Sequence, residues 1–256
     1  MTINAHWHKC TNFGDALTPY LIEKISKQDV EYVEVNSEPP PMMVTGSILG
    51  HNTFRGIIWG TGCAFESDLD PELFNPPFND FQIIATRGAL SKELVEQSGH
   101  KPVAYGDPGL GLPRFYSPTI EKKYDVGIIC SWVDFEYVDG YYKDDRIKAI
   151  NSMGSLNVVE EKIDELLECR VIVSSTLHGL VAAIAYGIPC ILVKFSDKMV
   201  GTGFKFRDFL TCTDRQYEPI DLRYEVITAD ELIALSKVHQ ITINLDELLD
   251  CCPFKV

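Results

Sequence analysis

The chain has 256 residues, 45% of them hydrophobic and 23% charged, and a formal net charge of −14. This balance describes an ordinary globular protein of one large or two small domains. The acidity argues against nucleic acid or a polybasic membrane anchor as partner, since both need a basic face. An anion can still bind where positive charge is gathered locally. Met1 to Cys10 has no basic region followed by an apolar core, so no signal peptide is expected. No apolar run reaches the length of a membrane span. The eight cysteines are scattered without a CxxC pair, which predicts a reducing, cytoplasmic setting and no metal site.

In chain order, Ile3 to Trp7 reads as a short strand. A loop ends at Asn12-Phe13-Gly14-Asp15, where Asp15 is placed to cap a helix carrying Leu17, Leu21 and Ile25 on one side. Glu31 to Val35 alternates as a strand, and Pro39-Pro40-Pro41 breaks it. Met42 to Thr45 and Gly56 to Trp59 read as buried strands that run into Gly46-Ser47 and Gly60-Thr61-Gly62. Residues 66 to 80 form a loop. Phe81 to Ala85 is a strand ending at Thr86-Arg87-Gly88, and a helix follows from Ala89 to Ser98. Arg87 therefore stands where a parallel strand passes to its helix, the edge at which such sheets bind ligands. It suits a carboxylate or phosphate there, and equally a helix-flanking surface position. Val103 to Tyr105 closes the first block at Gly106-Asp107-Pro108-Gly109.

Pro113, Pro118 and Glu121-Lys122-Lys123 form a linker-like stretch. A second block follows. Val126 to Cys130, Leu156 to Val159, Val171 to Val173 and Cys190 to Val193 read as strands. Asp144 to Met153 and Lys162 to Glu168 read as helices, as do residues 228 to 238 and 242 to 251. Residues 131 to 142 read as a loop. Lys194, Lys198, Lys205 and Arg207 make the densest basic stretch near a ligand edge, with Phe206, Phe209 and Leu210 on the packing side of a short helix.

The centre of the pattern is Val171-Ile172-Val173-Ser174-Ser175-Thr176-Leu177-His178-Gly179-Leu180. A β-branched run ends in hydroxyl residues and enters a helix whose apolar face is Leu177, Leu180, Val181 and Ile184. Gly187 suits a left-handed cap and Pro189 stops the helix. A strand feeding a helix through a tight turn presents unpaired N–H groups to an anion. Ser-Ser-Thr here is also an ordinary N-cap. His178 in the first turn adds a group that titrates near neutrality. Strands alternating with helices in two consecutive blocks predict an α/β fold of two Rossmann-like domains facing a cleft, residues 1–117 and 118–256.

The ordered set Asn12-Phe13-Gly14-Asp15, Gly46-Ser47, Gly60-Thr61-Gly62, Thr86-Arg87-Gly88-Ala89-Leu90-Ser91, Gly106-Asp107-Pro108 and Ser174 to Gly179, followed by Ala185-Tyr186-Gly187-Ile188-Pro189, resembles the polysaccharide pyruvyl transferases, in particular the exopolysaccharide ketal-pyruvate transferases. The resemblance implies a fold similar to the type B glycosyltransferases. It also implies phosphoenolpyruvate as co-substrate with no further cofactor, and a sugar diol, free or lipid-linked, as acceptor. On that basis His178, Asp15 and Asp107 are the catalytic candidates. Arg87, Ser174, Ser175, Thr176, Gly179, Lys205 and Arg207 are the donor-binding candidates, and Asn12, Gly46 and Gly60 face the acceptor. Many relatives carry Arg where this chain has Thr176, so Arg87, Lys205 or Arg207 must supply the missing cation. A nucleotide-sugar glycosyltransferase is the alternative, since fold does not fix function.

Overall fold

The computed structural model describes residues 2–35, 37–49, 55–69, 81–154, 158–198 and 203–255. The first six strands are β1 (Ile3–Ala5), β2 (Val30–Tyr32), β3 (Met42–Met43), β4 (Gly56–Trp59), β5 (Phe81–Thr86) and β6 (Ala104–Tyr105). They form one parallel sheet in the order β2-β1-β3-β4-β5-β6. The next five are β7 (Tyr124–Cys130), β8 (Ile147–Asn151), β9 (Cys169–Ser174), β10 (Cys190–Lys194) and β11 (Ile220–Asp221). They form a second parallel sheet in the order β11-β10-β9-β7-β8. In both sheets the chain steps outward to its second strand and then returns past the first. Each sheet therefore has a topological switch point, between β1 and β3 in one and between β7 and β9 in the other.

The helices are α1 (Phe13–Ser26), α2 (Ala89–Gln97), α3 (Trp132–Tyr141), α4 (Val158–Leu167), α5 (Leu177–Ala185), α6 (Phe204–Leu210), α7 (Ala229–Leu235) and α8 (Leu245–Asp250). Short 3₁₀ helices occur at Glu66–Leu69 and Pro108–Arg114. One apolar cluster joins Phe13, Leu17 and Leu21 of α1 to Leu110 and Leu112 of the second 3₁₀ helix. It continues through Leu180, Val181 and Ile184 of α5 to Ile163 and Leu166 of α4. Each such side chain contributes about 1.5–3 kcal/mol on burial, so the seam between the sheets is itself core. The end of the chain returns to the first sheet. There Trp59 Nε1 donates to the Leu248 carbonyl at 2.9 Å, and α8 packs against β6. Among the described residues no helix is long and apolar enough to cross a membrane.

Several sequence expectations change. Asn12, not Asp15, caps α1, its Oδ1 accepting from Gly14 N at 3.0 Å, and Asp15 sits within the first turn. Residues 144–153, expected as a helix, contain β8. Ile147 and Ile150 have the three-residue spacing of a helical face, yet all of β8 pairs with β7. Val158 and Val159, expected in a strand, open α4, whose buried face continues at Ile163 and Leu166. Leu156 lies outside the described residues, as do 70–80 and 199–202. Residues 131–142, expected as a loop, contain α3, although Trp, Val, Phe and Tyr at six of its ten positions give little helical propensity. It is held by packing, with Val138 buried against the second sheet.

Candidate functional site

A cavity of about 580 Å³ opens where the two switch points meet. From the first sheet, the loop after β1 supplies His8 and Asn12, and the loop after β3 supplies Gly46 and Ser47. Ser131 and Trp132 come from the loop after β7, and Thr176, Leu177 and His178 from the turn after β9. Ser152 follows β8, and Lys198 and Lys205 follow β10. Asp15 is the carboxylate among these lining residues. In a chain of net charge −14, two lysines against one carboxylate make a local cationic field. The first turn of α5 adds the Leu177 and His178 N–H groups, which have no acceptor within the helix.

His178 is the most constrained member. Its side chain is 11% exposed, and Nε2 lies 3.3 Å from Oδ2 of Asp107, which is 0% exposed. The distance is that of an ion pair, but the alignment falls short of a hydrogen bond, and neither atom has another hydrogen-bond partner. Asp107 is fixed from behind, because its Oδ1 accepts from Gly109 N at 2.9 Å as the cap of the 3₁₀ helix. The opposite edge of the imidazole presses on α1: a Cβ at Gly14 would lie 2.1 Å from His178 Nδ1. The pair therefore bridges the two sheets, with the carboxylate after β6 orienting an imidazole from α5.

The turn after β9 is built by its own hydroxyls. Ser174 Oγ accepts from Thr176 N at 3.1 Å and donates to Thr176 O at 2.8 Å. Thr176 Oγ1 accepts from Gly179 N at 3.2 Å, which caps α5. Ser174 and Ser175 are buried and do not line the cavity, and the Gly179 N–H is taken by the cap. Of the donor candidates in this turn, Thr176 alone reaches the cavity. Ser175 Oγ is buried without a partner.

Arg87 is the main departure from expectation. It is 0% exposed and does not line the cavity. Its Nε donates to Asp208 Oδ2 at 3.1 Å, one terminal nitrogen to Ser47 Oγ at 2.7 Å and the other to the Cys63 carbonyl at 2.5 Å. Asp208 also accepts from Ser91 N at 2.8 Å and Ser91 Oγ at 2.6 Å, at the N-terminus of α2. The carboxylate expected at that strand end is present, but it belongs to α6 of the chain itself. Arg87 thus locks α6 onto the first sheet and holds Ser47 at the cavity wall, and its burial keeps it from a ligand in the cavity.

Arg207 pairs with Glu66 away from the cavity. Gly60 does not reach the cavity either, since a Cβ there would lie 2.2 Å from Pro108 Cδ. Asn12 lines the cavity and its Nδ2 donates to Ser152 Oγ at 3.2 Å, joining the two halves. Lys205 is the cavity cation best placed for an anion. Burial, reinforced by the Arg87 charge and opposed by Asp15, holds its pKa below the usual lysine value. Sequence reasoning did not single out Trp132. It is 64% exposed at the start of α3, and its signal in the sequence was one tryptophan directly after a buried strand.

A family model described as polysaccharide pyruvyl transferase matches residues 12–197. An uncharacterised protein of Acanthamoeba polyphaga mimivirus is 28% identical over 212 residues, covering 79% of this chain and 71% of its own. The crystal structure of a functionally uncharacterised protein from Klebsiella pneumoniae matches with a TM-score of 0.52 at 13% identity, covering 82% of this chain and 87% of its own. That likeness concerns the fold alone.

Proposed function

The chain belongs to the polysaccharide pyruvyl transferase family, and from that premise we propose that it moves pyruvate from phosphoenolpyruvate to a sugar diol of an exopolysaccharide or its precursor, forming a pyruvate ketal. The observation that carries this reading is the buried Asp107–His178 pair opening on a cationic cavity. The donor brings a phosphate and a carboxylate on one enol, and the reaction needs a proton delivered to carbon while both anions are held. Lys205, Lys198, Thr176 and the first turn of α5 are suited to the anions.

His178 acts as general acid toward the methylene carbon of the donor. Asp107 orients the imidazole. Protonation gives an oxocarbenium-like centre that one sugar hydroxyl attacks. The second hydroxyl then displaces phosphate, the two hydroxyl protons leave, and the products are the cyclic ketal and inorganic phosphate. Residues 1–117 form the acceptor side, where Asp15, Asn12 and Ser47 meet sugar hydroxyls, and residues 118–256 hold the donor. Trp132 offers a flat apolar face to the sugar ring at the lip. The fold similarity to type B glycosyltransferases belongs to this reading, with each half closing on the shared cavity.

Calorimetric titration of phosphoenolpyruvate and of UDP-sugars into the protein and into Lys205→Met tests the donor. Phosphoenolpyruvate binding that weakens about tenfold in the variant, the loss of roughly one charge-assisted contact, with no UDP-sugar binding, is expected. Binding of UDP-sugars alone overturns the proposal in favour of glycosyl transfer.

A further inference from the structure

The loop after β1 turns tightly at His8–Cys10, Cys10 N donating to the His8 carbonyl at 2.8 Å. This brings both side chains to Asp15 on the first turn of α1. Cys10 Sγ lies 3.3 Å from Asp15 Oδ2, and His8 Nδ1 lies 3.8 Å from the same oxygen. All three potential ligand atoms fall within 4.8 Å of one another. No CxxC or paired-histidine spacing announces the cluster, because His-x-Cys-x₄-Asp becomes one site only when the loop folds back on the helix.

We propose that His8, Cys10 and Asp15 form a binding site for a borderline-soft divalent cation of the Zn²⁺ type at the rim of the cavity. Imidazole, thiolate and carboxylate are the three protein donors that zinc accepts. Ligand atoms at zinc bond lengths in tetrahedral arrangement stand about 3.3–3.8 Å apart, so the two separations measured from Asp15 Oδ2 already suit a shared ion. The thiol and imidazole argue against Mg²⁺ and Ca²⁺, which prefer oxygen. Three protein ligands leave a fourth position open, the arrangement of a reactive rather than a structural site. His8 and Asp15 line the cavity and Cys10 does not, so that position faces the cavity. His8 is 74% exposed on its side chain, which leaves an entry path for the ion. On binding, the Cys10 S–H bond breaks, a metal–sulfur bond forms and the proton leaves to solvent, with no change of oxidation state. The ion would share Asp15 with the acceptor side of the proposed reaction, whose own chemistry needs no metal.

The test uses the full chain, treated with a chelator and kept reduced. Zn²⁺ is titrated by calorimetry, and Co²⁺ is followed by its thiolate charge-transfer absorption. One equivalent of Zn²⁺ per chain is expected, with a cobalt–thiolate band. Cys10→Ser abolishes that band and weakens Zn²⁺ roughly tenfold or more, and His8→Ala weakens both metals comparably, at least as much as outer-sphere changes do elsewhere. Sub-stoichiometric binding, or a cobalt–thiolate band that survives Cys10→Ser, overturns the proposal.

Discussion

Two strand-to-helix turns in this molecule look alike in sequence and differ in what they leave undone. At the end of β5, Arg87 and Asp208 are fully buried and spend their groups on each other, Ser47, Cys63 and Ser91. At the end of β9, His178 is also held in place, facing Asp107 from the end of β6, yet His178 Nε2, Asp107 Oδ2 and Ser175 Oγ make no hydrogen bond within the chain. Buried polar atoms are rarely left that way, because each costs about 1–3 kcal/mol. The closed turn is a fastening. The open turn stands beside a cavity and keeps polar groups unspent. A cation at a strand end does not decide between the two; what decides is whether its partners are already supplied.

The largest effect expected from breaking the open turn is on turnover. His178→Ala lowers phosphate release from phosphoenolpyruvate in the presence of acceptor by about 10²–10⁴, the range of a lost general acid, with a stability loss of about 1–3 kcal/mol because buried Asp107 loses its neighbour. Turnover within about threefold of the wild type, under roughly 1 kcal/mol of barrier, removes His178 from the acid role. Breaking the closed turn moves the other quantity. Arg87→Ala strands Asp208 without its cation and costs about 3–5 kcal/mol of stability, measured by denaturant unfolding. A loss below about 1 kcal/mol would place Arg87 outside the fastening.

A smaller change sharpens the comparison from the side of α1. Gly14→Ala puts a methyl group where the imidazole now lies, since the Cβ would sit 2.1 Å from Nδ1. The ring must move away from Asp107 or the helix must shift, at a cost of about 1–3 kcal/mol for such overpacking. The expected result is reduced turnover with near-normal phosphoenolpyruvate affinity. Unchanged turnover would show that the ring position is not what the reaction needs.

The comparison also explains what the sequence could tell. The strand ends were legible because a β-branched run, a hydroxyl or glycine, and a helical face follow one another at Ser174–Leu180 and at Thr86–Leu90. From these the α/β class follows and the ligand edge can be located. Whether Arg87 was free was not legible, because its partner Asp208 lies 121 residues away and α6 meets α2 only in three dimensions. Long-range satisfaction of charge has no local signature. For the same reason Asn12 was passed over as the cap in favour of Asp15: both are good capping residues. The pairing of Phe13 N with the Ser152 carbonyl, which holds the N-terminus of α1 at Phe13, comes from the other half. In the second block, Ile147 and Ile150 mimic helical spacing and Val158 and Val159 mimic a strand, and the neighbouring strand β7 overrides the first of these local preferences.

The smallest expected effect is a pH dependence at Lys205. Its pKa is lowered chiefly by burial, then by the Arg87 charge, with Asp15 opposing. In the free protein, therefore, Lys205 begins to lose its proton below the ordinary lysine value of 10.5. Between the lowered value and the ordinary one the unfolded chain binds more protons than the folded chain. Stability then gains a contribution as pH rises through that window. An anion in the cavity favours the charged lysine and raises its pKa, so binding takes up a proton in the same window. Phosphoenolpyruvate affinity should fall as pH climbs through the lowered pKa of the free protein. Lys205→Met should weaken binding about tenfold below that pKa, the value of roughly one charge-assisted contact, and should flatten the fall. Calorimetry across the pH range up to the ordinary lysine value, in buffers of different ionisation enthalpy, reads both the affinity and the proton taken up. A fall that persists unchanged in Lys205→Met would assign the titration to another group and remove Lys205 from the anion site.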